Sequence, residues 1–137
     1  MNILFFLTPK SEVAYIYEDF TIRQTLEKME YHRYSSIPIL TKEGKYVGTI
    51  TEGDLLWTLK ELTQNGDVDF ESIGKMPVID IPRRKNNTPV SASANMDLLI
   101  SKAITQNFVP VIDDTETFIG MVKRRKIVEY CYEKITE

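Results

Sequence analysis

Thr51 and Asp54 stand three residues apart, directly ahead of Leu55, Leu56, Leu59 and Leu62, which recur on one face of a helix. A threonine hydroxyl donates to a phosphate oxygen, and an aspartate carboxylate accepts from ribose hydroxyls. At the start of a helix both groups stand beside free backbone amides and the positive end of the helix dipole, a placement that suits a nucleotide. The same Thr-x-x-Asp spacing is a helix-capping pattern in any protein. The two roles are compatible.

A second chemically loaded stretch is Lys123-Arg124-Arg125-Lys126, ahead of the apolar Ile127. Cations at a helix start oppose the dipole, each by about 0.3 to 1 kcal/mol if exposed at low salt. Two readings remain open. The run either faces a bound polyphosphate or cyclic dinucleotide, or it is a solvated surface whose repulsion salt screens. Arg83-Arg84-Lys85 is a second basic cluster with the same pair of readings. His32 is the only histidine and Cys131 the only cysteine. Neither has neighbours at metal-ligand or nucleophile spacing, so His32 reads as a helix-end residue and Cys131 as a structural thiol. Asp113-Asp114 reads as turn chemistry. No Ser/His/Asp, Cys/His or metal constellation assembles, which leaves no support for an enzyme.

These residues are positioned by a duplicated pattern. Leu26 and Leu98, Pro38 and Pro110, and Gly48 and Gly120 are each 72 residues apart, and a gap-free register also matches Thr21 with Ser93, Ile37 with Val109, Ile39 with Val111, Leu40 with Ile112, Tyr46 with Phe118, Val47 with Ile119 and Ile50 with Val122. In each copy a helix precedes two strands and a second helix. The first helix starts at Thr21, which forms a capping box with Gln24. Ser36–Leu40 and Tyr46–Ile50 read as strands joined by the turn Lys42-Glu43-Gly44-Lys45, with Pro38 suited to a strand start or edge. The second copy runs Ser93–Ile104, Val109–Ile112, Thr117–Val122 and Ile127–Tyr132. Residues 66–87, rich in Asp, Gly, Pro and cations, read as a linker with one short extended piece at Val78-Ile79. The organisation is therefore residues 1–65, a linker 66–87, and residues 88–137. A helix-strand-strand-helix unit leaves one sheet face uncovered, so the two copies are expected to pack together.

Ile37-Pro38 followed by Gly48-Thr49-Ile50-Thr51-Glu52-Gly53-Asp54 resembles the CBS-domain pattern of a hydrophobic-Pro strand and then Gly, two hydrophobic-type positions, Thr or Ser, and Asp. Leu7-Thr8-Pro9-Lys10 and Arg33-Tyr34-Ser35-Ser36 are similar to stretches of small stand-alone CBS pairs. The resemblance implies an α+β fold of two βαββα-type repeats packed face to face with pseudo-two-fold symmetry, and a homodimer whose surface includes the helices carrying Trp57, Tyr130 and Tyr132. It also implies a regulatory module that binds AMP, ADP or ATP, or alternatively cyclic di-AMP, catalyses nothing, needs no cofactor or metal, and acts through its dimer or an unidentified protein in trans. The resemblance makes Thr51 and Asp54 ligand residues. It adds Ser35, Ile37, Pro89, Val90, Asn107 and Phe108 to the cleft, and lets Lys123, Arg124, Arg125 and Lys126 face the phosphates. In the second copy Lys123 and Lys126 replace the Thr and Asp, so one dominant site per chain is expected rather than two.

Bulk properties agree. A chain of 137 residues holds one core of ordinary size, and 42% hydrophobic with 27% charged residues marks a folded globular chain rather than a disordered one. A net charge of −3 weakens a nucleic-acid role, although a ligand-free dimerisation or nucleic-acid-binding scaffold using the basic clusters remains the alternative class. One cysteine forms no internal disulfide, so the cytoplasm is the expected compartment. Ile3–Leu7, the apolar run near the start, is too short to span a bilayer.

Overall fold

The computed structural model describes residues 2–64, 66, 69–84 and 86–137. Two compact units form. The N-repeat unit comprises Ala14–Glu43 and Val47–Asn86, and the C-repeat unit comprises Met1–Val13, Gly44–Tyr46 and Asn87–Glu137.

In the N-repeat unit, β2 (Ile16–Tyr17), β3 (Ser36–Leu40) and β4 (Tyr46–Thr51) form a sheet in the order β2-β3-β4. Helix α1 (Ile22–His32) starts on the capping box foreseen in the sequence: Thr21 Oγ1 accepts from the Gln24 amide at 3.1 Å, and Gln24 Oε1 accepts from the Thr21 amide at 2.9 Å. It ends at Arg33, whose backbone is left-handed. Helix α2 (Glu52–Gln64) follows β4 directly. The core gathers Ile16, Ile22, Met29, Ile37, Ile39, Ile50 and Leu55. It is completed by Ile73, Val78 and Ile81 from the stretch read as a linker. That stretch folds into α3 (Phe70–Gly74) and a 3-10 turn over Val78–Asp80, where an extended piece had been expected. The signal for α3 was Asp69, whose carboxylate accepts from the Ser72 amide at 2.8 Å as N-cap; these bonds from Ser72 lower the Asp69 pKa below its ordinary 3.8. The apolar side chains that flank this short helix seal the sheet, which is why they are buried.

The C-repeat unit has a four-stranded sheet in the order β1-β7-β6-β5, made of β1 (Thr8–Pro9), β5 (Val90–Ser91), β6 (Phe108–Ile112) and β7 (Phe118–Lys123), with helices α4 (Met96–Ala103) and α5 (Arg124–Thr136). Its core includes Ile3, Val90, Leu99, Val109, Val111, Val122 and Ile127. Ile3 belongs to a 3-10 turn over Ile3–Phe6, the apolar run near the start. Tyr130 packs on Phe6 with ring centroids 5.5 Å apart. The β6–β7 turn is fixed by Asp113, whose pKa is lowered mainly by the Thr115 hydroxyl and then by the Thr117 amide.

The 72-residue register holds for β3 with β6, β4 with β7, and α2 with α5. It fails at the first helix. The N-cap of α4 is Asn95, which accepts from the Leu98 amide, so the structural counterpart of Thr21 lies 74 residues on and the pairing with Ser93 is two residues off. Parallel pairing of Ile16 with Ile39 and of Val90 with Val111 shows the same 74-residue offset between β2 and β5. Leu26 and Leu98, matched at 72 residues, therefore do not occupy equivalent positions in α1 and α4, and both are exposed. Pro38 and Pro110 also differ from expectation, since each sits inside a central strand rather than at a start or edge. The strands β2 and β5 are only two residues long and pair from the residue after each proline onward, so the missing amide is not needed there.

Candidate functional site

The two strand-to-helix junctions are built alike and finished differently. In the N-repeat unit the Glu52 amide donates to the Ser35 carbonyl at 2.9 Å. In the C-repeat unit the Arg124 amide donates to the Asn107 carbonyl at 3.1 Å. Both partners obey the 72-residue register, so the backbone of the junction is duplicated even where its side chains have diverged.

At the first junction Thr51 and Asp54 form a reciprocal cap. Thr51 Oγ1 accepts from the Asp54 amide at 3.1 Å, and Asp54 Oδ2 accepts from the Thr51 amide at 3.0 Å. Asp54 Oδ1 accepts from the Arg84 amide at 3.0 Å, and the residue is only 3% exposed. Among the described residues no buried side-chain polar atom lacks a hydrogen-bond partner. Asp54 is thus satisfied by the chain itself. Ser35 is exposed, while Ile37 is fully enclosed in the N-repeat core, so any group that approaches this part of β3 meets backbone rather than the Ile37 side chain.

At the second junction Lys123 is the N-cap of α5 and makes no side-chain cap bond, because an ammonium has no acceptor to offer. The cations beyond it are partly committed. Arg124 Nε donates to the carbonyls of Ala103 at 2.9 Å and Gln106 at 3.0 Å, where α4 ends and its dipole is negative. Arg125 pairs with Glu129 one turn on at 3.1 Å. Lys126 lines a cleft of about 380 Å³ with Glu12, Glu129 and Glu133. The unfavourable charge at the α5 start is therefore offset by local partners for two of the four cations.

The other expected cleft residues of the C-repeat unit do come together. Asn107 is exposed and its Oδ1 accepts from Asn87 Nδ2 at 3.0 Å. Phe108 and Val90 are buried in neighbouring strands, with half-buried Pro89 between Val90 and Thr88. Gln106, which sequence reasoning passed over, is the organiser: its Oε1 accepts from the Thr88 amide at 2.9 Å and hydroxyl at 2.7 Å, and its Nε2 donates to the Thr88 and Phe108 carbonyls. Arg83 and Arg84 belong to the N-repeat unit, and Lys85 lies outside the described residues.

Residues 6–61, which contain the first junction, match the CBS domain family. That match spans 56 of the 137 residues. The likeness in fold to solved CBS-domain structures extends over nearly all of the chain. A CBS domain protein from Streptococcus pneumoniae is 20% identical with a TM-score of 0.84, the match covering 97% of this chain and 88% of that one. CbpB in complex with c-di-AMP is 22% identical with a TM-score of 0.82, over 99% and 87% of the two chains. CBSX2 in complex with AMP is 18% identical with a TM-score of 0.75, over 99% and 98%. At these identities the likeness is one of fold.

His32 lies exposed in the last turn of α1 between Tyr31 and Tyr34, and Cys131 is half-buried against the C-repeat core. Among the described residues no group of three or more His, Cys, Asp or Glu side chains is placed to hold a metal ion, and no helix is long and apolar enough to cross a membrane.

Proposed function

We propose that this chain is a CBS-domain protein that binds an adenine nucleotide at the Thr51–Asp54 junction and acts as a regulatory module rather than a catalyst. The observation that carries the reading is the shared fold with CbpB and CBSX2, whose structures hold c-di-AMP and AMP. The chemistry of the junction agrees with it: a hydroxyl and a carboxylate stand at the start of a 13-residue helix. Lys123 and Lys126 in place of Thr and Asp argue for one dominant nucleotide per chain. Signalling then passes through a homodimer or a regulated protein in trans, in the cytoplasm. A nucleic-acid scaffold is the weaker reading, since Arg124 and Arg125 already have partners within the chain.

The test is direct titration of AMP, ADP, ATP and c-di-AMP into the purified chain by calorimetry. Thr51→Ala and Asp54→Ala are expected to lower affinity by at least about tenfold, the loss of a charged or well-placed hydrogen bond. Because both substitutions also remove a helix cap, binding is measured well below the melting temperature, with circular dichroism confirming the fold. Absence of binding by any of the four ligands, in wild type and in variants, ends the nucleotide reading.

A further inference from the structure

The carboxylate assigned to the ligand is occupied by the protein's own chain. Asp54 Oδ2 is used by the Thr51 cap, and Oδ1, the oxygen that the cap leaves free, accepts from the Arg84 backbone amide. Arg84 is further clamped by its guanidinium, which lies 5.1 Å from the centroid of Trp57, three residues after Asp54 and so on the same side of α2. Two residues on, Asn86 Oδ1 accepts from the Thr49 amide at 3.2 Å on the edge strand β4 and from Arg83 Nε at 2.9 Å. Gly48 makes room for this contact, since a Cβ there would stand 2.7 Å from Asn86 Oδ1. Ile81, buried in the N-repeat core, anchors the segment on its amino-terminal side.

We propose that the segment carrying Arg83, Arg84 and Asn86 is an autoinhibitory strap: it holds Asp54 in the free protein, and an adenine nucleotide must lift it to engage the carboxylate. The inference rests on the nucleotide reading of Asp54 given above. The contacts are those of a removable element. Pro82, Arg84 and Asn86 are exposed, and among the described residues the strap meets the strand-helix junction through two hydrogen bonds and Trp57 through one cation–π contact. The matching edge in the C-repeat unit is closed differently, by the backbone pairing of β1 with β7, where Pro9 faces Gly120. One edge is closed by a strand, the other by an asparagine side chain that rotates away without breaking a sheet. Since the apparent affinity of a ligand is reduced by the fraction of molecules competent to bind, loosening the strap tightens binding.

The experiment titrates AMP and c-di-AMP into wild type, Arg84→Ala and Asn86→Ala, none of which alters Thr51 or Asp54, and follows exchange of the Arg84 and Thr49 amides by NMR. The strap predicts affinity raised by about two- to fivefold in each variant, the worth of one exposed cation–π contact or hydrogen bond, and faster exchange of both amides when ligand is bound to wild type. Binding by a variant where wild type shows none is the same result in stronger form. Wild-type binding with unchanged or weaker affinity in both variants, or with slower exchange on binding, overturns the strap and makes Arg84 part of the ligand site, leaving the nucleotide reading intact. No binding by wild type or by either variant removes the nucleotide reading and the strap together.

Discussion

Gly48 and Gly120 occupy the same place in the two repeats and meet different neighbours. Gly120 has φ of 153°, and a Cβ on it would stand 2.3 Å from the Thr8 carbonyl oxygen, which is backbone and paired into the sheet. The Cβ that Gly48 lacks would meet the tip of Asn86, a side chain with rotamers to spare. Gly120→Ala is therefore expected to cost about 2–4 kcal/mol, overpacking and backbone strain acting together, whereas Gly48→Ala costs about 1 kcal/mol or less, near the worth of the one part-buried hydrogen bond from Thr49 to Asn86. Urea midpoints at a common slope measure both. Equal losses would show that the two edges are closed by equally rigid neighbours. The glycines were legible in the sequence as repeat anchors, because a missing side chain is visible there. What each one makes room for was not, because Thr8 and Asn86 reach them from distant parts of the chain.

At the scale of elements, the basic start of α5 is explained mainly by the end of α4. Arg124 supplies donors to the Ala103 and Gln106 carbonyls, which no helical amide reaches. Its neighbour Arg125 makes only a surface pair with Glu129. Arg124→Ala is expected to destabilise the chain by about 1–2 kcal/mol, and Arg125→Ala by no more than about 0.5 kcal/mol. Thermal unfolding of the two variants decides it, and equal small effects would return the whole run to solvated surface. The spacing of apolar residues located α1, α2 and both strand pairs to within a few residues, because amphipathic periodicity is a local property. Helix α3 escaped notice since five residues hold too little periodicity, leaving the Asp69 cap as its only mark. The α4 cap was misplaced because the strands, being stricter in register, pulled the alignment two residues away from Asn95.

At the scale of the molecule, repeat and structural unit do not coincide. The segment that precedes the first repeat supplies Ile3 and β1 to the C-repeat unit, and the segment that precedes the second supplies Ile73, Val78 and Ile81 to the N-repeat core. Duplication at 72 residues was legible from the chain, but this exchange of closing segments was not, since pairing between β1 and β7 leaves no trace in the local pattern of either. A consequence can be measured. A fragment of residues 14–86 carries the whole N-repeat core, while residues 1–65 lack three of its buried side chains. Each such side chain contributes about 1.5–3 kcal/mol, and their joint loss rivals the entire stability of a small domain, about 5–15 kcal/mol. The 14–86 fragment is accordingly expected to show a cooperative urea transition by circular dichroism, and the 1–65 fragment none. The reverse order, or folding of 1–65 with a comparable midpoint, would mean that the first repeat closes its own core without the segment that follows α2.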